Sequence, residues 1–167
     1  MKKTLTAILA LTLCLTLTAC DKGTNSGSSQ GSNSSSVSET KATPAEKTAS
    51  LLNEVSFPEM RKLETADDLI AILGIKVEDL TDYAAYICPS GMAPDEFGVF
   101  VARDEATAAS VKTTIENRIK YQSDTFRDYP LAEKEVYKLD DSFVELDGNV
   151  VYYAICADNN KARDILG

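Results

Sequence analysis

Two runs of alternating apolar residues, Ser142 to Leu146 and Val150 to Ala157, flank the segment Asp147, Gly148 and Asn149. An Asp-Gly pair between such runs is the strongest short-range hairpin signal, because a tight two-strand turn needs residues that accept positive φ. A chain carrying this pattern must build an antiparallel sheet. A second pair of β-rich runs, Tyr83 to Ile87 and Phe97 to Ala102, is joined by a Pro- and Gly-containing turn from Pro89 to Pro94 and reads as another hairpin. In the later run Phe97, Val99 and Val101 share one face and Gly98, Phe100 and Ala102 the other. Both faces are apolar, which places that strand at the centre of the sheet.

Helices are expected between and around the hairpins. Thr65 is an N-cap with Asp67 and Asp68 in the first turn, Leu69, Ile70, Ile72 and Leu73 follow, and Gly74 stops the helix. Asp104 caps the longest helix, in which Ala108, Val111, Ile115, Ile119, Gln122 and Phe126 form one stripe at three- and four-residue spacing. Lys112, Glu116 and Lys120 fall off that stripe, and Tyr129 and Pro130 end the helix. Asp158 caps a last helix from Asn160 to Leu166. Ahead of all these, Leu51 to Arg61 reads as a short helical or extended lead-in. The expected class is α+β, in the order α-ββ-α-ββ-α, with about four antiparallel strands and the long helix packed on one face.

The first fifty residues have a different character. Lys2 and Lys3 precede an apolar run from Thr4 to Ala19, and Leu17, Thr18, Ala19 and Cys20 resemble the bacterial lipobox. Residues 1–19 are therefore expected to be a lipoprotein signal peptide that is removed. The new terminal thiol of Cys20 then carries a diacylglyceryl group on the outer face of the cytoplasmic membrane. Each buried acyl methylene contributes about 0.8 kcal/mol, so two chains hold far more firmly than one. From Cys20 to Ser50 the chain is Ser-, Gly- and Asn-rich, and it reads as a disordered tether with a root-mean-square span of roughly 30 Å. Residues 51–167 are expected to form one globular domain.

Composition narrows the chemistry. The 167 residues include no histidine, which removes the usual general base and the commonest transition-metal ligand. The formal net charge is -9, and loss of Lys2 and Lys3 with the leader leaves a still more acidic chain. Such a surface repels phosphate backbones, so no nucleic-acid partner is expected. Neither a metal nor a cofactor is expected.

Four constellations remain. Cys88 and Cys156, near the ends of the first and last strands of the two hairpins, are either a disulfide or two buried thiols. Arg118, Gln122 and Phe126, one turn apart on the long helix, converge with Tyr129 on the Gly91 and Met92 turn to make a small amphipathic pocket. The alternative is structural: Gln122 caps a backbone group at a hairpin end and Arg118 pairs with a surface acid. Asp140, Asp141, Glu145, Asp147 and Asn149 lack the spacing of a calcium loop and read as solvated side chains. Asp95 and Glu96, as neighbours in a strand, point to opposite faces and make a poor catalytic pair.

Gly91, Met92 and Ala93 with Asp95 and Glu96, then Arg118, Gln122, Phe126, Tyr129 and Pro130, then Gly148, Asn149, Val150 and Asp158, are together similar to a family of small Gram-positive lipoproteins. That family is catalogued as domain of unknown function 4358, and the resemblance covers about residues 60–167. It implies a lipid anchor and an extracytoplasmic address, and it establishes no activity, substrate or cofactor. The expected role is a non-catalytic module that binds an envelope protein or a small ligand. An enzyme or enzyme accessory acting on envelope polymers through carboxylates, and a structural assembly module, are the alternatives.

Overall fold

The computed structural model describes residues 41–129 and 134–167; the expected leader, Cys20 and most of the expected tether, together with residues 130–133, lie outside the described residues. The chain enters through α1 (Pro44–Glu54). Thr43 starts it with a reciprocal capping box: its side chain accepts from the Glu46 N–H while Glu46 accepts from the Thr43 N–H at 2.8 Å. Pro44 occupies the first turn, where a missing N–H costs nothing. The domain thus begins inside the stretch expected to be tether. Polar composition concealed this helix, because only Leu51, Leu52 and Val55 mark its buried side.

The next elements are β1 (Arg61–Lys62) and α2 (Ala66–Asp68), the latter capped by Thr65 and continued by a π-helical turn, Leu69–Leu73. A 3-10 turn, Val77–Asp79, leads into β2 (Leu80–Ile87), followed by β3 (Glu96–Ala102). The long helix α3 (Glu105–Arg127) starts at its Asp104 cap, and α4 (Val136–Asp140) precedes β4 (Phe143–Asp147) and β5 (Val150–Ile155). Asp158 caps α5 (Asn159–Leu166).

The strands form an antiparallel sheet in the order β1-β2-β3-β5-β4. The mixed helix and strand class is as the sequence predicts, with β3 at the centre. The sheet has five strands rather than about four, because β1 adds two residues opposite Ile87 and Tyr86, too short a run to show alternation. The β4–β5 hairpin turns through Gly148 at φ 59°, and Asn149 ties that turn to β3 by exchanging two hydrogen bonds with the Ala102 backbone.

The long helix α3 packs on one face, as expected, and α1 and α5 cover the other. On one side α2 with its π-turn and α3 pack Leu69, Leu73, Ala108, Val111 and Ile115 onto Ala85, Phe100, Val151 and Tyr153. On the other, Leu51 of α1, the Val55 that caps its end, and Ala162 and Leu166 of α5 pack onto Phe97, Val99, Ala154 and Cys156. The alternation along β3 dictates this, since each face needs its own cover to leave water. Close approach on the α3 side depends on Gly98: a Cβ there would sit 3.0 Å from the Phe100 ring and 3.1 Å from the Ala85 methyl. Among the described residues no helix is long and apolar enough to cross a membrane.

Candidate functional site

The segment between β2 and β3 folds back at the end of the sheet. The Cys88 N–H donates to the Asp95 carbonyl at 2.8 Å, extending the ladder by one pair, and the loop turns at Gly91 with φ 65°. The Ser90 hydroxyl accepts from the Met92 N–H at 3.3 Å and lies 3.2 Å from Cys88 Sγ. α3 crosses the sheet so that its last turns stand beside this loop.

There the helix meets Glu96, the first residue of β3. Arg118 Nε donates to both Glu96 oxygens, at 2.8 and 3.0 Å, and Nη2 donates to Oε2 at 2.6 Å. Nη1 donates to the Ile72 carbonyl at 2.5 Å, so the same guanidinium satisfies the end of the π-turn. Gln122 Nε2 donates to Glu96 Oε2 at 2.9 Å. The Glu96 side chain is 2% exposed and that of Arg118 is 22% exposed. Burial pushes the Glu96 carboxyl above its usual range, with Arg118 and Gln122 pulling the other way. The Tyr153 hydroxyl is buried beside Glu96 and makes no hydrogen bond of good geometry. Its burial, then the Glu96 charge, raises it well above an ordinary phenol.

Asp95 points to the opposite face, as adjacent strand residues must. Its Oδ2 accepts from Lys138 Nζ on α4 at 2.7 Å, and Lys138 also pairs with Glu135 at 2.6 Å. Burial raises the Asp95 carboxyl despite Lys138. Burial alone would lower the Lys138 ammonium, but Asp95 and Glu135 more than offset that and hold it above its ordinary value. Asn159 completes the corner by donating to the Lys138 carbonyl at 2.9 Å and accepting from the Cys156 N–H at 3.0 Å. No sequence signal marked α4 or Lys138, because the helix is five residues long and its partner lies far away in the chain.

All six residues read from the sequence as a pocket come together. Gly91, Met92, Phe126 and Tyr129, with Thr125 and Asp128, line a cavity of about 360 Å³. Gly91 and Phe126 also line an adjoining cavity of about 290 Å³, whose walls include Arg61, Cys88, Glu96, Arg118 and Gln122. One chamber is mainly apolar; the other is an even mixture of polar and apolar lining and holds the charged groups. The structural alternatives for two of these residues need correction: Arg118 pairs with a buried acid rather than a surface one, and Gln122 donates to that acid rather than to a backbone group. Glu96 is the residue missed as part of the pocket. Its only local signal is an acid at the head of an otherwise apolar central strand.

The disulfide reading is overturned. Both thiols are free, Cys88 half-buried and Cys156 buried. Cys88 and Cys156 flank Asp95 from β2 and β5, with β3 between them. Two strand spacings put their backbones about 9–10 Å apart, beyond the reach of about 7 Å that a bridge allows. Around the last hairpin, Asp140 pairs with Arg127, Glu145 with Arg163 at 2.6 Å, and Asp147 with Lys41 at 2.5 Å. Among the described residues no three His, Cys, Asp or Glu side chains are placed to hold a metal ion.

The chain matches no curated protein and no solved structure. A family model described as Domain of unknown function (DUF4358) matches residues 53–156, from α1 to the end of β5. That span contains Glu96, Arg118, Gln122 and the whole double cavity. The chain therefore belongs to this family.

Proposed function

We propose that this chain is a lipid-anchored, extracytoplasmic binding module whose double cavity beside α3 takes a small ligand. The observation that carries the binding reading is the convergence of Gly91, Met92, Arg118, Gln122, Phe126 and Tyr129 on two adjoining chambers. A cavity with one apolar wall and a few oriented polar groups is the usual form of a small-molecule site.

The same geometry speaks against catalysis by carboxylates. Asp95 and Glu96 face opposite sides of the sheet, and each is held by its own cation. Neither presents a free oxygen pair to a shared substrate position, as an acid and base across a scissile bond would have to. The anchor rests on the leader: Lys2 and Lys3, the apolar run to Ala19, and Cys20 in a lipobox-like setting. The membrane is then one partner, through the lipid on Cys20, and the cavity ligand is the other.

The test is chemical-shift mapping of the purified protein against a small-molecule extract of the bacterial envelope. Shifts confined to the six cavity residues are expected. Shifts scattered over the surface, or none, would contradict the reading.

A further inference from the structure

The hydrogen-bonding groups left over around Glu96 define what the charged chamber lacks. Arg118 spends Nε and one N–H of Nη2 on Glu96 and one N–H of Nη1 on the Ile72 carbonyl. A guanidinium has more N–H groups than these bonds use, so a donor remains on each terminal nitrogen. Gln122 is oriented by chemistry rather than by assignment: a carboxylate only accepts, so the nitrogen must face Glu96. Its Oε1 is consequently turned away from Glu96, and it is buried without a partner. An unpaired buried acceptor of this kind is uncommon and costs stability.

Arg118 and Gln122 are four residues apart, so their side chains leave α3 on the same face about 5–6 Å apart. The chamber wall therefore holds a spare donor next to a spare acceptor that the unliganded chain keeps buried. Its charges are already paired: Glu96 with Arg118, Arg61 with Asp68 and Asp95 with Lys138. A ligand carboxylate would meet the Gln122 and Glu96 oxygens, and a ligand ammonium would meet the Arg118 N–H groups. Either would also lose its hydration without a free counter-charge. A neutral amide carries one acceptor and one donor a few ångströms apart, which matches both vacancies. Next door, Met92 and Tyr129 are about half exposed and, with Phe126, offer an apolar surface to a side chain attached to that amide.

We infer that the double cavity recognises an amide-bearing apolar molecule, such as a short peptide, with its C=O on Arg118, its N–H on Gln122 Oε1 and its side chain against Met92, Phe126 and Tyr129. This deepens the binding reading above and rests on it. Gln122 Oε1 is buried in the unliganded chain, so engaging it requires side chains of the chamber wall to move on binding.

The test uses the intact chain in detergent micelles with ¹³C-methyl methionine, so that Met92 reports on the cavity and Met60 serves as an internal control. Three probes are titrated: N-acetyl-phenylalaninamide, phenylacetate and 2-phenylethylamine. The amide is expected to shift the Met92 methyl saturably and leave Met60 in place, with the two charged probes at least about tenfold weaker. Gln122→Leu should weaken the amide by about tenfold, the usual effect of removing one partner of a buried hydrogen bond. Tyr129→Ser, at an exposed position that does not threaten folding, should weaken it severalfold. Equal or tighter binding of a charged probe at Met92 overturns the amide assignment and leaves the cavity as a binding site. Silence of all three probes at Met92 overturns the inference, and the cavity reading itself falls only if the envelope extract also fails to give shifts confined to the cavity residues.

Discussion

Arg118 grips both carboxylate oxygens of Glu96 on the face of the sheet that α3 covers, so that one turn of α3 is locked to the first residue of the central strand. Removing the cation leaves a buried charge without compensation, whereas neutralising the acid leaves a partly exposed guanidinium that water can reach. Arg118→Met is therefore expected to cost about 3–5 kcal/mol and Glu96→Gln distinctly less. Urea unfolding at unchanged slope measures both. An equal or smaller loss for Arg118→Met would show that the pair does not lock the helix.

The raised carboxyls predict a pH dependence of definite sign. Glu96 and Asp95 have folded values above their ordinary 4.5 and 3.8, so the folded state holds their protons to higher pH than the unfolded chain does. Stability from these two groups falls as pH rises from those values through the folded ones. The stability of wild type relative to Glu96→Gln should accordingly shrink as pH is raised from 4 towards neutrality. Lys138 is also raised, and for a cation this means a contribution complete below its ordinary 10.5 and lost as pH climbs through the folded value. The advantage of wild type over Lys138→Met should thus be level below pH 10.5 and decline above it.

The two thiols should behave oppositely. Cys156 is buried, and burial pushes it up to about 11, so it is neither accessible nor ionised at pH 8. Cys88 is half-buried at the mouth of the charged chamber. Brief treatment with iodoacetamide, followed by peptide mass spectrometry, should modify Cys88 and leave Cys156 intact until denaturant is added. Simultaneous protection of both, with a bridged peptide, would contradict the strand order.

The capping box of α1 makes the start of the domain testable. Thr43→Ala removes the side-chain acceptor for the Glu46 N–H and is expected to cost about 1 kcal/mol. If residues before Leu51 were only tether, the substitution would leave the thermal midpoint unchanged.

Much of the fold was legible because its signals are local. Asp104, Asp158 and Thr65 each cap the helix their side chains predict, and the Gly148 turn joins the strands it was expected to join. What escaped is non-local or short. α1 hides in polar sequence because only one narrow side of it meets the sheet, and β1 and α4 are too brief for a period to appear. The pocket residues were readable as an odd glutamine and arginine on an apolar stripe. Their partner Glu96 was not, since nothing in the chain between β3 and α3 records that the helix crosses over that strand end.

Metabolic incorporation of an alkyne-tagged fatty acid tests the proposed tether most directly. In cells expressing the chain, the tag should appear on the peptide that begins with Cys20, and Cys20→Ala should abolish it and release the protein from the membrane fraction. An unlabelled wild type, or a Cys20→Ala protein still processed and membrane-bound, would contradict the account.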